Sequence, residues 1–357
     1  MKTRLKLGLI VMILTAAMLV LGPAAYAVDF KISGQIYRAV LWADNGDSDD
    51  LLFVDNDNSS TRFRFTGSND FDYNITMGIT WEVEMQSNPS NVVDIGDNDD
   101  TGDVTFDERK IEWWMSTNFG KIYLGQGSTA SDGTAEVDLS GTDVITYSSI
   151  SDMAGGITFR DKDDSSIKLA AVGDVSSNFD GLSRRDRIRY DTPTWGGFNA
   201  AGSYLNGQSW DLAARFARQW DGFGKLAAAI GYTGADTQRF PYKQVDGSVS
   251  WLHGSGLNLT FSAGQRYDRE GDADDSTSIY GKVGFKRGIH AVSLDYGKTD
   301  DLDENGDKFQ TVALGYVISP WESIEFYGAY RWHALERDDI DDPDDISAVM
   351  IGGRVKF

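Results

Sequence analysis

Three groups of residues in this chain have the types and spacing to act on a solute or an ion. Arg62 and Arg64 alternate with phenylalanines in T-R-F-R-F, and Arg184, Arg185, Arg187 and Arg189 crowd into R-R-D-R-I-R. Glu136, Asp138 and Asp143 stand close together in A-E-V-D-L-S-G-T-D-V. Carboxylates facing guanidiniums across a narrow water-filled gap create a strong transverse field. Such a field orients dipolar solutes and disfavours uncharged, apolar ones that cannot replace their hydration. The plainer readings are an ion-paired structural patch for the arginines and ordinary solvated loop positions for the acids. The third group is Asp301, Asp303 and Asn305, which precede Gly306 at the offsets of an EF-hand calcium loop. Its twelfth position is Val312 where a bidentate Glu is needed, and strand patterns flank it where helices should, so a solvated loop competes with calcium there.

Catalytic chemistry finds no matching constellation. There is no cysteine, hence no disulfide, thiolate nucleophile, Cys-ligated zinc or iron-sulfur cluster. His253, His290 and His333 lie on different segments without a repeated spacing, so neither a metal triad nor a catalytic triad can be assembled. Carboxylates are abundant without forming a constellation, and the expectation is that the protein is not an enzyme. A formal charge of -22 lacks the basic face that phosphate requires, which excludes nucleic acid as a partner. At 41% hydrophobic and 12% aromatic residues the chain is nevertheless too apolar to stay unfolded.

The elements that must position these groups are strands. From Asn74 to Met85, Ile75, Met77, Ile79, Trp81, Val83 and Met85 alternate with polar or small residues, a period of two. Leu257 to Gly264, Ile324 to His333 and Val349 to Phe357 repeat the pattern. The connections alternate in kind. Tight ones fall near Asn69-Asp70, Asn118 to Gly120, Pro193 to Gly197, Asp221-Gly222, Gly254 to Gly256, Arg287-Gly288 and Ser319-Pro320. Between them lie links rich in Asp, Asn and Gly at 44–58, 88–103, 205–209, 233–241, 268–275, 299–307 and 334–344. Short turns at one end and polar loops at the other describe a transmembrane antiparallel up-and-down β-barrel, an all-β fold. Mean hydropathy of -0.35 does not oppose this, because lipid-facing and lumen-facing residues average out along each strand.

Counting between the links gives five strands before residue 127 and eleven after 185, or sixteen, an even number that is wide enough for an aqueous channel. The segment 127–185 is too long for an idle connection. It either folds inward as a loop, which is the preferred reading, or pairs Gly156 to Asp161 with Ser166 to Asp174 as a hairpin that raises the count to eighteen. Tryptophans near both ends of the strands, among them Trp195, Trp321, Trp81 and Trp210, suit two interfacial belts. Residues 1–27 read as a cleaved signal peptide: a basic start, an apolar run from Leu7 to Leu21, and Ala25-Tyr26-Ala27. The barrel domain is then 28–357.

Phe30 to Gly34 (F-K-I-S-G), Thr61 to Gly67 (T-R-F-R-F-T-G), Asn118 to Gln126 (N-F-G-K-I-Y-L-G-Q) and Arg187 to Phe198 (R-I-R-Y-D-T-P-T-W-G-G-F) follow one another along the chain, which ends in Arg-Val-Lys-Phe. In this order they resemble the trimeric general porins of Gram-negative outer membranes, especially those of alphaproteobacterial type, and the resemblance covers essentially all of 28–357. It implies a passive water-filled diffusion channel for small hydrophilic solutes and ions, assembled as a homotrimer in outer-membrane lipid, with no required cofactor. It further implies that the third loop, beginning at Gly127, folds into the lumen with Glu136, Asp138 and Asp143 facing a basic wall. Arg62 takes the matching place in that wall with Arg64 one lumenal step along, and Arg184, Arg185, Arg187 and Arg189 sit where the sixth strand begins. Gln126 departs from the pattern, since many relatives carry Arg there.

In such porins the first five strands face neighbouring subunits. Arg38 shares the parity of Ile36 and Val40 on the outer wall and is expected at that contact, with Trp113-Trp114 contributing. The acidic runs at 44–50, 97–100, 272–275 and 338–345 would face outward among lipopolysaccharide phosphates, where Ca2+ or Mg2+ bridges the two.

Overall fold

Period-two sequences can satisfy every backbone amide in a lipid phase only by closing into a ring. That is the architecture of the computed structural model, which describes residues 29–96, 105–235, 242–267, 274–338 and 342–357. The signal pattern at 1–27, the acidic run at 97–100, and parts of the runs at 272–275 (272–273) and 338–345 (339–341) lie outside the described residues.

The first half of the ring comprises β1 (Asp29–Asp44), β2 (Asp49–Asp55), β3 (Arg62–Phe71), β4 (Ile75–Gln86), β5 (Thr105–Thr117) and β6 (Gly120–Ser128). A small hairpin follows, β7 (Thr158–Arg160) with β8 (Lys168–Ala171). The ring resumes with β9 (Arg184–Asp191), β10 (Phe198–Leu205), β11 (Trp210–Trp220), β12 (Gly224–Ala235), β13 (Tyr242–Leu252) and β14 (Leu257–Tyr267). It ends with β15 (Ser276–Arg287), β16 (His290–Asp300), β17 (Lys308–Trp321), β18 (Ile324–Glu336) and β19 (Ile346–Lys356). β19 pairs antiparallel with β1 from Gln35↔Lys356 to Asp44↔Ser347. Gly34 and Phe357 exchange backbone hydrogen bonds of 2.9 and 3.0 Å, so the terminal residue is part of the seam.

β2 pairs with the Arg38–Asp44 half of β1 and β3 with the Asp29–Gln35 half, so together they form one stave interrupted at 56–61. The 17 strands of the closed sheet therefore make sixteen staves. The stretches around 156–174 do pair, as β7 with β8, yet they stay out of the ring. β6 bonds directly to β9 from Lys121↔Asp191 to Ser128↔Arg184, which leaves no opening for two more strands.

Two tight turns fall later than the sequence suggests. β3 runs through Asn69-Asp70, and the chain reverses at Asp72–Asn74 with Tyr73 and Asn74 at positive φ. β17 continues to Trp321 past Pro320, which lies where the register with β18 shifts between Ile318 and Trp321. A residue without an N–H fits such an irregularity. On the outer wall, Arg38 pairs with the buried Asp55 at 2.5 Å. Trp113 and Trp114 do not share a face: Trp113 is exposed, while Trp114 lies under the Lys121 ammonium at 3.8 Å.

Apolar side chains such as Ile79, Trp81, Ile188, Leu212, Phe261, Leu314 and Phe326 are exposed on one face of the ring, and their polar alternates are buried on the other. What buries those alternates is the segment 129–183. Ala130 N–H donates to Ser203 Oγ at 2.5 Å, Val137 N–H to Ser248 Oγ at 2.9 Å and Leu139 N–H to Ser250 Oγ at 3.0 Å. Successive inward positions of β13 thus receive successive loop amides. The other flank of the segment is apolar. Ile145, Ile150, Met153, Ile157 and Phe159 pack with Tyr37, Leu41, Leu52, Phe309, Ile346 and Met350, the inward residues of β1, β2, β17 and β19. Each such side chain contributes about 1.5–3 kcal/mol on burial. The segment is therefore fastened inside the ring by hydrogen bonds on one flank and hydrophobic packing on the other.

Candidate functional site

The second to fourth staves, through β3, β4 and β5, present charge to the interior. Glu82 and Glu84 lie opposite Trp81 and Val83 in the alternation of β4, and Arg62 and Arg64 face them from β3 in the pairs Arg62↔Glu84 and Arg64↔Glu82. In β5 the register shifts between Glu82 and Val83, whose partners are Lys110 and Glu108. Arg109 is the extra residue, and the bulge turns it toward the same carboxylates. Its Nε donates to Glu82 Oε1 at 3.0 Å and its Nη1 to Glu84. Arg62 Nη1 reaches Glu82 Oε1 at 3.3 Å, and Arg64 also pairs with Glu82. One buried glutamate thus holds three guanidiniums side by side.

Across from this wall, the inward segment supplies carboxylates without cationic partners. Glu136 accepts from Asn178 Nδ2 at 3.1 Å, and Asp180 accepts the N–H groups of Gly133 at 2.7 Å and Ala135 at 2.8 Å. Asp152 accepts from Ser149 Oγ at 3.0 Å and from the Tyr147 hydroxyl. Burial, followed by repulsion from Asp57, pushes the Asp152 carboxyl up to about 8. Burial and then neighbouring aspartates also raise Asp180 and Glu136, and burial followed by Asp138 raises Asp143.

The two sets line one cavity of about 690 Å3, with Arg62, Arg109 and Arg184 from the wall and Asp132, Glu136, Asp143, Asp152 and Asp180 from the segment. Of the residues singled out in the sequence, Arg62, Arg184, Glu136 and Asp143 therefore come together. The others lie elsewhere. Arg64 is outside the lining, on its pair with Glu82. Arg185 is exposed and donates to the Arg184 carbonyl at 2.8 Å. Arg187 is buried against Glu112 and caps the carbonyls of Gly125 at 2.7 Å and Ser128 at 2.9 Å. Gly127 makes room for that pair, because a Cβ there would stand 2.6 Å from Glu112 Oε2. Arg189 is committed to Asp191 at 2.7 Å and to the Thr129 carbonyl at 2.7 Å. Asp138 is buried on Lys282 at 2.6 Å.

The EF-hand-like spacing resolves differently again. Arg337, just after β18, donates to Asp303 Oδ2 at 2.8 Å and to Asp307 at 2.7 and 2.8 Å, and lies 3.3 Å from Glu304. Asp301 Oδ1 accepts from Gly306 N–H at 2.8 Å, and Asn305 Oδ1 from Asp274 N–H at 3.0 Å. Of the three spaced residues Asp303 is thus taken by a guanidinium while Asp301 and Asn305 accept from backbone N–H groups, and no cluster of metal-ligating side chains stands among the described residues. The histidines remain apart: His253 bonds Ser255, His290 bonds Tyr316, and His333 is buried beside Phe309.

Arg109, Asp152 and Asp180 are absent from the residues the sequence singled out. Glu82 and Glu84 were visible there as the polar alternates of Ile75 to Met85, whereas the side of Arg109 depends on a bulge that no local pattern announces.

Comparison with known proteins agrees with this architecture. The family of Gram-negative porins matches the chain over residues 14–336. None of the curated proteins matches it by sequence. Among solved structures, the anion-selective porin from Comamonas acidovorans superposes with a TM-score of 0.66 at 16% identity, covering 93% of this chain and 100% of that one. A loop-deletion mutant of OmpT, an outer membrane protein of Vibrio cholerae, gives 0.60 at 14% identity over 93% and 100%. A mutant of the Rh. blastica porin gives 0.56 at 14% identity over 92% and 100%. With a closed ring of sixteen staves, an apolar outer face and a charged interior cavity, the chain belongs to the Gram-negative porin family, and it is a passive outer-membrane channel and not an enzyme.

Proposed function

We propose that the cavity between the inward segment and the wall formed by β3–β5 and the start of β9 is the constriction of this channel. Arg62, Arg109 and Arg184 form its positive side and Asp132, Glu136, Asp143, Asp152 and Asp180 its negative side. The observation that carries the reading is that both charge sets line one space. Hydrated solutes cross the resulting field with their dipoles aligned, and apolar molecules are rejected because nothing in the lining replaces water. Arg64, Arg187, Arg189 and Asp138 act behind this surface as braces. The name of the Comamonas neighbour describes an anion-selective channel. Here seven carboxyl groups of the lining stand against three guanidiniums, which supports a cation preference at pH values where the loop acids are ionised.

The working protein on this reading is the barrel 28–357 after removal of residues 1–27, with 127–185 as its constriction region. It is a homotrimer, as one OmpT structure of Vibrio cholerae is by its title, with TM-score 0.59 at 13% identity over 93% of this chain and 100% of that one. The outward acidic runs, 44–50 and 338–345 among them, bridge through Ca2+ or Mg2+ to lipopolysaccharide phosphates. No cofactor takes part in passive diffusion. Planar-bilayer recording in KCl tests the reading. Stable conductance steps arriving in triplets support it, and a folded protein that inserts without conducting rejects it.

A further inference from the structure

The cations of the cavity all stand on one side, and the charges are unequal in number. Three cations, Arg62, Arg109 and Arg184, stand on the barrel wall; the carboxylates are Asp57, Glu84, Asp132, Glu136, Asp143, Asp152 and Asp180. Arg62 and Arg109 are partly neutralised by Glu82, and Arg109 also by Glu84. Among the described residues Arg184 forms no ion pair with a carboxylate, and none of the five acids on the inward segment forms one with a cation. Asp152 is held by Tyr147 and Ser149, Glu136 by Asn178, and Asp180 by the N–H groups of Gly133 and Ala135. The cavity therefore has a small, open positive side and a large carboxyl-lined side that lacks its own counter-cation and becomes negative as its acids ionise.

We propose that this cavity is a transient binding site for cationic amino acids, solutes with one carboxylate and two positive groups. The proposal rests on the reading of the cavity as the constriction. The solute carboxylate docks on Arg184 with Arg62 and Arg109 behind it, where a guanidinium offers paired donors. The α-ammonium and the side-chain cation face Glu136, Asp152 and Asp180. A simple anion finds partners on the arginines alone and is repelled by the carboxyl side once its acids ionise. A diamine leaves the arginines unanswered, and a neutral amino acid answers one charge on each side and leaves the excess unbalanced. The volume, about 690 Å3, lies within the range of small-molecule sites and leaves space for water around such a solute. An entering cation also displaces the protons that burial holds on the loop acids, which couples occupancy to pH.

The experiment is single-channel recording of the full protein in KCl, with lysine, glycine, glutamate and diaminopentane added in turn at equal concentration. Lysine is expected to interrupt the current about tenfold more often or longer than each of the other three, the effect of one partly screened charge contact. Arg184→Ala should shorten the lysine events and leave those of diaminopentane unchanged, and Glu136→Gln with Asp152→Asn should shorten both. Equal block by lysine and diaminopentane, or lysine no more effective than glycine, overturns the proposal while conductance in KCl remains intact. Absence of conductance strikes the channel reading instead. Should the variants fail to insert, the comparison of the four solutes on the unmodified protein decides alone.

Discussion

Lys282 of β15 donates to Asp138 at 2.6 Å, with both side chains cut off from solvent, and so ties the inward segment to the far wall of the barrel. The same ammonium also reaches Thr142 Oγ1 at 3.2 Å and the Thr146 carbonyl. Removing one member of a buried pair strands the other and costs about 3–5 kcal/mol. Lys282→Met should lower the thermal unfolding midpoint followed by circular dichroism in detergent and make the open-channel current noisier. Adding Asp138→Asn to that variant should recover part of the stability. No shift in the midpoint would remove Lys282 as an anchor.

Adjacent arginines should behave differently. Arg184 lines the cavity and Arg185 does not. Arg62→Ala and Arg184→Ala should each raise the cation-to-anion permeability ratio, by roughly 1 kcal/mol or about fivefold at most for a charge a few ångströms from the ion path. Arg185→Ala should leave it unchanged. Reversal potentials in a KCl gradient measure all three, and a shift for Arg185→Ala with none for Arg184→Ala would reverse the assignment.

Selectivity should depend on pH with a definite sign. Burial raises the loop carboxyls, so they are neutral below their titration and charged above it, and for Asp152 that point is about 8. As pH rises through this value the cavity gains negative charge and cation preference increases. Asp180 and Glu136, also raised, add to the same trend. Asp152→Asn should flatten the upper part of a plot of reversal potential against pH. A preference that falls as pH rises would contradict the placement of these acids.

How much of this was legible in the sequence differs by level. The alternation of Ile75 to Met85 and its counterparts predicts the strands and their outward face, because side-chain period and lipid exposure are local consequences of the pleat. Gly127 to Arg185 stood out as the segment that must do something other than connect. Partners distant in sequence were not legible. Asp138 meets Lys282, Arg187 meets Glu112, and Asp303 meets Arg337, each through the closing of the ring or the meeting of two loops. Arg109 reaches the cavity through a register shift, and Asp152 and Asp180 through the internal fold of the segment, neither of which follows from local periodicity.

The loop at 301–307 offers an independent check on its intramolecular cation. Burial of Asp307 beneath the Arg337 guanidinium leaves it without another counter-charge in the salt bridges of that loop. Arg337→Ala should cost about 1–3 kcal/mol and expose the segment after β16 to protease. Millimolar calcium should restore part of the protection in the variant and change nothing in the parent. Unaltered digestion of the variant would show that the arginine does not hold the loop.

The most direct test of the central claim uses the absence of cysteine, which makes any introduced thiol the sole target. Single Glu136→Cys, Arg184→Cys and Arg185→Cys proteins can be recorded while a charged thiol-directed reagent is added to the open channel. Modification at Glu136→Cys and at Arg184→Cys should lower the current in discrete steps, and modification at Arg185→Cys should leave it unaltered. Stepwise loss at Arg185→Cys with none at Glu136→Cys and Arg184→Cys would contradict a passage between the arginine wall and the acidic loop.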